Sequence, residues 1–144
     1  MSIATIVELL GGPKILKRTV GTASDLVEVT RHGLPAGILP ALASNLSLDR
    51  RAVAQAVGIP ERTLSRRLST GSRLSAAESD RTVRLARILA LASDTLGDLE
   101  KASMWLQTPN RVLEGHAPFD LLDTDAGSQS VETVLGRIAY GVYS

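Results

Sequence analysis

The chain of 144 residues contains no cysteine. Disulfides and thiolate metal sites are thereby excluded, and the composition fits a reducing, cytoplasmic setting. Aromatics are scarce, at 3%, and Trp105, Phe119, Tyr140 and Tyr143 all fall within the last 40 positions. No apolar run approaches the roughly 20 residues that a membrane-crossing helix needs. Residues 3–10 are apolar but lack a basic leader, so they do not read as a signal peptide. Strand-type alternation and hairpin turn signals are missing throughout. His32 and His116 stand alone without ligand spacing, so neither a metal nor another cofactor is expected. There is no Gly-x-Ser-x-Gly elbow and no sign of a Ser-His-Asp triad. Gly11-Gly12-Pro13-Lys14 lacks the spacing of a phosphate-binding loop and follows no strand. Asp120, Asp123 and Asp125 lie in a turn-rich stretch and read as caps and solvation. Together these absences argue against an enzyme.

What is present is hydrophobic residue at helical spacing. At 44% hydrophobic, the chain can bury a core of one domain, or of two small ones sharing it. The organising stretch is 48–68. Asp49 is placed to cap a first short helix, with Leu48 and Val53 set for a hydrophobic staple. Gly58 suits the left-handed end of that helix. Pro60 is suited to the first turn of a second helix, where amide hydrogens lack partners anyway. Ile59, Leu64 and Leu68 point inward, while Arg62 with Arg66, and Thr63 with Arg67, form outward rows. This is the pattern of a DNA-binding helix-turn-helix whose second helix is the reader.

Charge is divided along the chain. Residues 1–49 are neutral, 50–73 carry six arginines against one glutamate for a net +5, 74–93 carry +1, and 94–144 carry −5. The basic block coincides with the helix-turn-helix, as a phosphate-binding surface requires. The acidic block points to a different partner. Four regions are expected: a helical N-terminal or dimerisation region over 1–46, the helix-turn-helix over 47–73, a connecting helix over 74–97, and a small helical domain over 98–144. In the first region helices are expected from Ile3 to the Gly11-Gly12 stop, from residue 24 or 25 to 32, and from 36 or 37 to about 45. Their apolar faces either complete the core or make a homodimer contact. Ser75-Ala76-Ala77-Glu78 is a capping box that opens the connecting helix, and Gly97 stops it. Beyond it, a helix around Ala102 to Leu106, a turn around Phe119 to Leu122, and a last helix with the stripe Val131, Val134, Leu135 and Ile138 complete an all-α fold.

Laid out in this way, the chain resembles the Xre/MbcA/ParS antitoxins, the partners of RES-domain toxins. The middle carries Gly58-Ile59-Pro60-Glu61-Arg62-Thr63-Leu64 and Arg66-Arg67-Leu68, followed by Leu74-Ser75 and Glu78-Ser79-Asp80-Arg81. The second half carries Ala102, Trp105-Leu106, Pro109-Asn110, Leu113, Pro118 and Leu121-Leu122. Thr124, Gly127, Val131, Leu135, Arg137-Ile138 and Gly141 close the series. One departure is Ala117, where a polar residue is expected before Pro118. The resemblance implies a cytoplasmic protein encoded beside an NAD-consuming toxin. It implies toxin binding through the C-terminal domain, with closure of the NAD site, and operator binding that limits transcription of the pair.

On residue chemistry, Arg62 and Arg66 suit base edges, and Thr63 and Ser65 suit phosphates or base edges. Arg50, Arg51, Arg67 and Arg73 suit phosphates. For the toxin, Arg137, Tyr140, Gly141, Val142, Tyr143 and Ser144 form the expected contact. A terminal carboxylate flanked by two tyrosines could enter a pocket built for a dinucleotide. Trp105 sits at helical spacing among apolar residues and reads as core. The competing reading is a stand-alone helix-turn-helix regulator whose C-terminal half binds a small ligand or dimerises.

Overall fold

A computed structural model describes residues 2–141, and everything structural below refers to these residues. The longest element, Ala76–Leu96 (here α7), runs 21 residues and serves as the spine. Its start is a reciprocal cap: the Ser75 hydroxyl accepts the Glu78 N–H at 3.1 Å, and the Glu78 carboxylate accepts the Ser75 N–H at 2.8 Å. It stops at Gly97, where φ is 111°. Ile88, Leu89 and Ala90 are consecutive and all buried. A helical stretch that is apolar on every side must be covered on every side, and α7 is packed by elements from both ends of the chain.

The N-terminal part begins with α1, Ile3–Leu9, which leads through Gly11 at φ 99° into a short α2, Gly12–Leu16. The Gly11-Gly12 pair was expected to end helical structure. Instead Gly11 makes a left-handed link, and Pro13 enters the first turn of α2, where it has no hydrogen bond to lose. Next come α3, Ala23–His32, and α4, Ile38–Leu46, the latter starting about two residues later than its pattern suggested. Thr22 and Asp25 cap α3 reciprocally. The N–H groups of Gly21 and Thr22 and the Thr22 hydroxyl hold the Asp25 carboxyl below the usual carboxylate range. Ile6, Val7 and Leu10 of this region, with Ile38, Leu39, Leu42 and Leu46, are buried within the single chain. These faces therefore complete the core, whatever else the region does.

The helix-turn-helix consists of α5, Arg50–Val57, and α6, Glu61–Thr70. Asp49 accepts the Ala52 N–H at 2.9 Å and Gly58 closes α5 at φ 76°. Pro60 stands one position outside the expected first turn: it is the residue before α6, and its carbonyl accepts the Leu64 N–H at 3.0 Å. The descent from α6 to α7 pairs with the loop before α4 through a short bridge, in which the Leu74 N–H meets the Leu34 carbonyl at 2.7 Å. No strand occurs among the described residues, and the fold is all-α. Nor is any of these helices long and apolar enough to cross a membrane.

The C-terminal part is α8, Leu99–Gln107, two 3-10 turns at Arg111–Leu113 and Pro118–Leu121, and α9, Asp125–Ala139. Ala117 caps the second turn with its backbone alone, its carbonyl accepting the Asp120 N–H at 3.0 Å, so the missing polar side chain leaves the turn intact. Thr124 caps α9 by accepting the Gly127 N–H at 3.0 Å. Gly127 is held for space: a Cβ there would lie 1.9 Å from the Leu121 carbonyl oxygen. Gly136, further along the same helix, has nothing within 4 Å of such a Cβ. The two glycines should therefore respond oppositely to alanine. Gly127→Ala is expected to cost about 1–3 kcal/mol or more and to lower the melting midpoint by roughly 3–10 °C. Gly136→Ala should raise the midpoint, since alanine is favoured over glycine in a helix by about 1 kcal/mol. Thermal unfolding by circular dichroism distinguishes them, and a matching loss in both variants would contradict the packing described.

Candidate interaction surfaces

Two surfaces stand out at opposite regions of the chain. The first is built on α6. Leu64 is fully buried, so the helix is fixed in rotation, and Arg62 and Arg66 on the other side are exposed. Thr63 and Ser65 are half-buried beside them. The Arg50 guanidinium crosses from α5 and donates to the Ser65 hydroxyl at 3.3 Å, which sets a cation over the middle of the reader helix. Arg51 faces Glu61 at 3.8 Å with both side chains largely in solvent, a pairing that contributes little. Arg50, Arg51, Arg62, Thr63, Ser65 and Arg66 thus share one face.

Arg67 and Arg73 are differently placed. Helical spacing put Arg67 in an outward row with Thr63, but its side chain turns back and pairs with the Glu78 carboxylate at the head of α7. That carboxylate already caps α7, and the guanidinium completes its coordination. Arg73 donates to the Gly33 carbonyl at 3.0 Å, which ties the end of α6 to the end of α3. Both cations hold the reader helix on its scaffold.

Burial alone would raise the Glu78 carboxyl, but the Ser75 N–H, the Arg67 guanidinium and the Ser75 hydroxyl outweigh it and hold the group below the usual carboxylate range. A carboxyl depressed in the folded state adds stability that is present above its unfolded value and lost as pH falls through the folded one. Acid unfolding between about pH 4.3, the unfolded value for glutamate, and the lower folded value should therefore weaken in Glu78→Gln. The test is the midpoint of unfolding against pH, where parent and variant should converge below that window.

The contacts of three structural cations escaped the pattern-based reading. Arg81 of α7 donates to the Val57 carbonyl at 2.7 Å, and its guanidinium lies against Gly58. It thus satisfies the end of α5 and fixes the turn between the two helices. Arg87 donates to Glu132 of α9 at 2.7 and 3.2 Å, and Arg84 faces Asp125 at 3.6 Å. Nothing in the local sequence marks these pairs, because their partners lie far along the chain.

The second surface belongs to the C-terminal part. Val131, Val134 and Leu135 bury the inner stripe of α9, and Ile138 is half-buried. Arg137 is exposed near the end of that helix. Tyr140 closes the helix at 87% exposure, and Gly141 follows at φ 69°. Val142, Tyr143 and Ser144 of the expected contact lie outside the described residues. Trp105 is half-buried and packs on the core, as its spacing suggested. Met104, at 65% exposure, is an outward apolar residue on α8. Asp120 and Asp123 stand at a cleft walled by Ala52, Gln55 and Ala56 of α5 and by Phe119.

The two ends are tied by side chains as well as by the spine. The Leu46 carbonyl at the end of α4 accepts the Ser103 hydroxyl at 2.5 Å and the Gln107 amide at 2.9 Å. These α8 groups satisfy a helix end that would otherwise leave a buried carbonyl orphaned.

Comparison with known proteins matches both parts. Residues 25–87 match the family described as an antitoxin Xre-like helix-turn-helix domain. Residues 91–141 match the antitoxin Xre/MbcA/ParS C-terminal toxin-binding domain. The chain is 32% identical to the antitoxin Xre of Yersinia enterocolitica over 83% of its length and 81% of that protein's. It is 34% identical to the antitoxin Xre of Photorhabdus laumondii, with 90% of each chain covered. Among solved structures it is similar to a chain of the M. tuberculosis MbcT–MbcA toxin–antitoxin complex. That likeness has a TM-score of 0.54 and 25% identity, over 87% of this chain and all of the other.

Proposed function

The chain belongs to the Xre/MbcA/ParS antitoxins, and from that premise we propose that it silences a RES-domain toxin by closing the toxin's NAD-consuming site. It is an antitoxin with a helix-turn-helix domain and a C-terminal toxin-binding domain, not an enzyme. In the proposed mechanism the end of α9 is the inserting element. The observation that carries this is the exposure of Arg137 and Tyr140 at the point where the toxin-binding domain ends.

The chemistry follows from what a dinucleotide pocket must contain. Aromatic and apolar walls that accept a base will accept a tyrosine ring. Tyr140 and Tyr143 supply such rings. The acidic surplus of residues 94–144 speeds encounter with a basic rim and orients it.

The proposal extends to the other face. Arg62 and Arg66 read base edges in the operator of the chain's own gene pair, with Thr63, Ser65, Arg50 and Arg51 setting register on the phosphates. Arg67 and Arg73 serve this face by holding the reader helix in place. The protein acts as a homodimer in the cytoplasm, so two reader helices meet successive half-sites. Co-purification with the product of the adjacent reading frame, followed by measurement of NAD loss, tests the central claim. The toxin alone should consume NAD, and the complex should not. An adjacent product that consumes NAD equally with and without this chain would refute it.

A further inference from the structure

The basic character of the molecule is not confined to the helix-turn-helix. Residues 11–24 contain Lys14, Lys17 and Arg18 and no acid. Averaging over 1–49 hides this, because Glu8, Asp25, Glu28 and Asp49 bring that block to neutrality. Arg18 is drawn toward Glu28 at 3.7 Å. Lys14 and Lys17 are exposed, and neither forms an ion pair among the described residues.

Their position gives this charge a direction. Lys14, on α2, and Lys17, at its end, line a cleft whose other wall is Arg67 and Leu68 in the last turn of the reader helix and the Gly71-Ser72 link that follows it. Lys17 takes a left-handed backbone at φ 63°, unusual for a residue with a side chain, with its N–H held by the Pro13 carbonyl at 2.7 Å. At the start of the same helix Arg51 faces Glu61, and Arg50 reaches its middle at Ser65. Cations therefore flank the reader helix at both ends. A helix of about 10–12 Å diameter fills a major groove about 12 Å wide, so a long-stemmed cation beside an end of the helix can reach the phosphates that border the groove where the helix leaves it.

We propose that Lys14 and Lys17 are DNA-backbone contacts, which makes α2 a second clamp on the duplex opposite the α5 arginines. The inference rests on the DNA-binding reading of α6 and goes beyond it, since α2 lies outside both matched domains, 25–87 and 91–141. Lysine ammonium groups on flexible stems serve as point charges for phosphate and carry no sequence information. The clamp sets affinity and salt dependence while the reader sets preference.

The test is the double variant Lys14→Gln with Lys17→Asn, asparagine being chosen because it tolerates the left-handed backbone. Binding is followed by fluorescence anisotropy from about 50 to about 300 mM salt. The probes are a duplex of about 40 base pairs from upstream of the chain's own reading frame and a scrambled duplex of equal composition. Loss of two phosphate contacts should flatten the slope of log affinity against log salt by about 1.8 and weaken both duplexes by roughly tenfold or more. The ratio between the duplexes should stay as in the parent, and so should the melting midpoint and toxin co-purification. If the parent binds and the variant keeps its slope, the clamp is refuted while the reader helix stands. A changed ratio would mean that the lysines read bases, and lost toxin retention at an unchanged slope would place the patch on the toxin interface; either result overturns the clamp. A parent that binds neither duplex at any salt removes the DNA reading and the clamp with it.

Discussion

Deletion of residues 140–144 is expected to leave the fold and DNA binding intact while abolishing protection against the toxin. The core supports the first half of this expectation. Val131, Val134 and Leu135 make the buried stripe of α9 and all precede the cut, and Tyr140 is the most exposed large hydrophobic residue among those described. The second half follows from the energetics of anchors. Aromatic hot spots are worth about 2–4 kcal/mol each, so losing two tyrosines should weaken toxin association by a factor of about a thousand or more. Co-expression with the toxin, scored by growth, gives the readout. Full protection by the truncated chain would remove the inserting end from the mechanism and move attention to the exposed Met104 and the cleft beside Asp120 and Asp123.

Arg62→Ala combined with Arg66→Ala is expected to erase operator preference and to spare toxin binding. Each bidentate arginine–guanine contact contributes about 1–3 kcal/mol of discrimination, so the pair should account for a preference of tens to thousands of fold. Leu64 stays buried and no described ion pair is lost, so the helix itself should be unaffected. Affinity for operator and scrambled duplexes at physiological salt should become similar. Unchanged preference in the double variant would mean that another element enters the groove.

Much of this architecture could be seen in the chain because its signals are local. The capping box at Ser75 and Glu78, the cap at Asp49, and the glycine stops at Gly58 and Gly97 each depend on residues within four positions of one another. The spine, the helix-turn-helix and the last helix appear where those signals stand. The misses share the opposite property. Arg67 was expected in solvent because its partner Glu78 belongs to the next helix, and Arg81 entered only as part of a motif, with no contact assigned, because Val57 lies 24 positions away. Gly127 stood out in the resemblance, yet its reason, a carbonyl pressed against the start of α9, is a fact of packing. The short α2 was hidden by a Gly-Gly-Pro run that ordinarily ends a helix.

For the candidate surfaces, identity was easier to see than orientation. The arginines of 50–73 were visible as a group, but only the folded chain separates those facing outward from those that bind Glu78 and Gly33. The clamp lysines were lost in a block average, because charge counted along a sequence does not report which charges end up side by side.

The spine has one further consequence. The two matched domains end and begin at residues 87 and 91, both inside α7. No cut between them can leave each half with its own helix, and Ile88, Leu89 and Ala90 at that boundary are the most fully enclosed run of the spine. Unfolding at either end therefore strips cover from the other, and the chain behaves as one cooperative unit. Under the proposed function, a cellular protease that captures the opened chain would remove DNA binding and toxin binding in a single event, so relief of transcription and release of the toxin would share one clock.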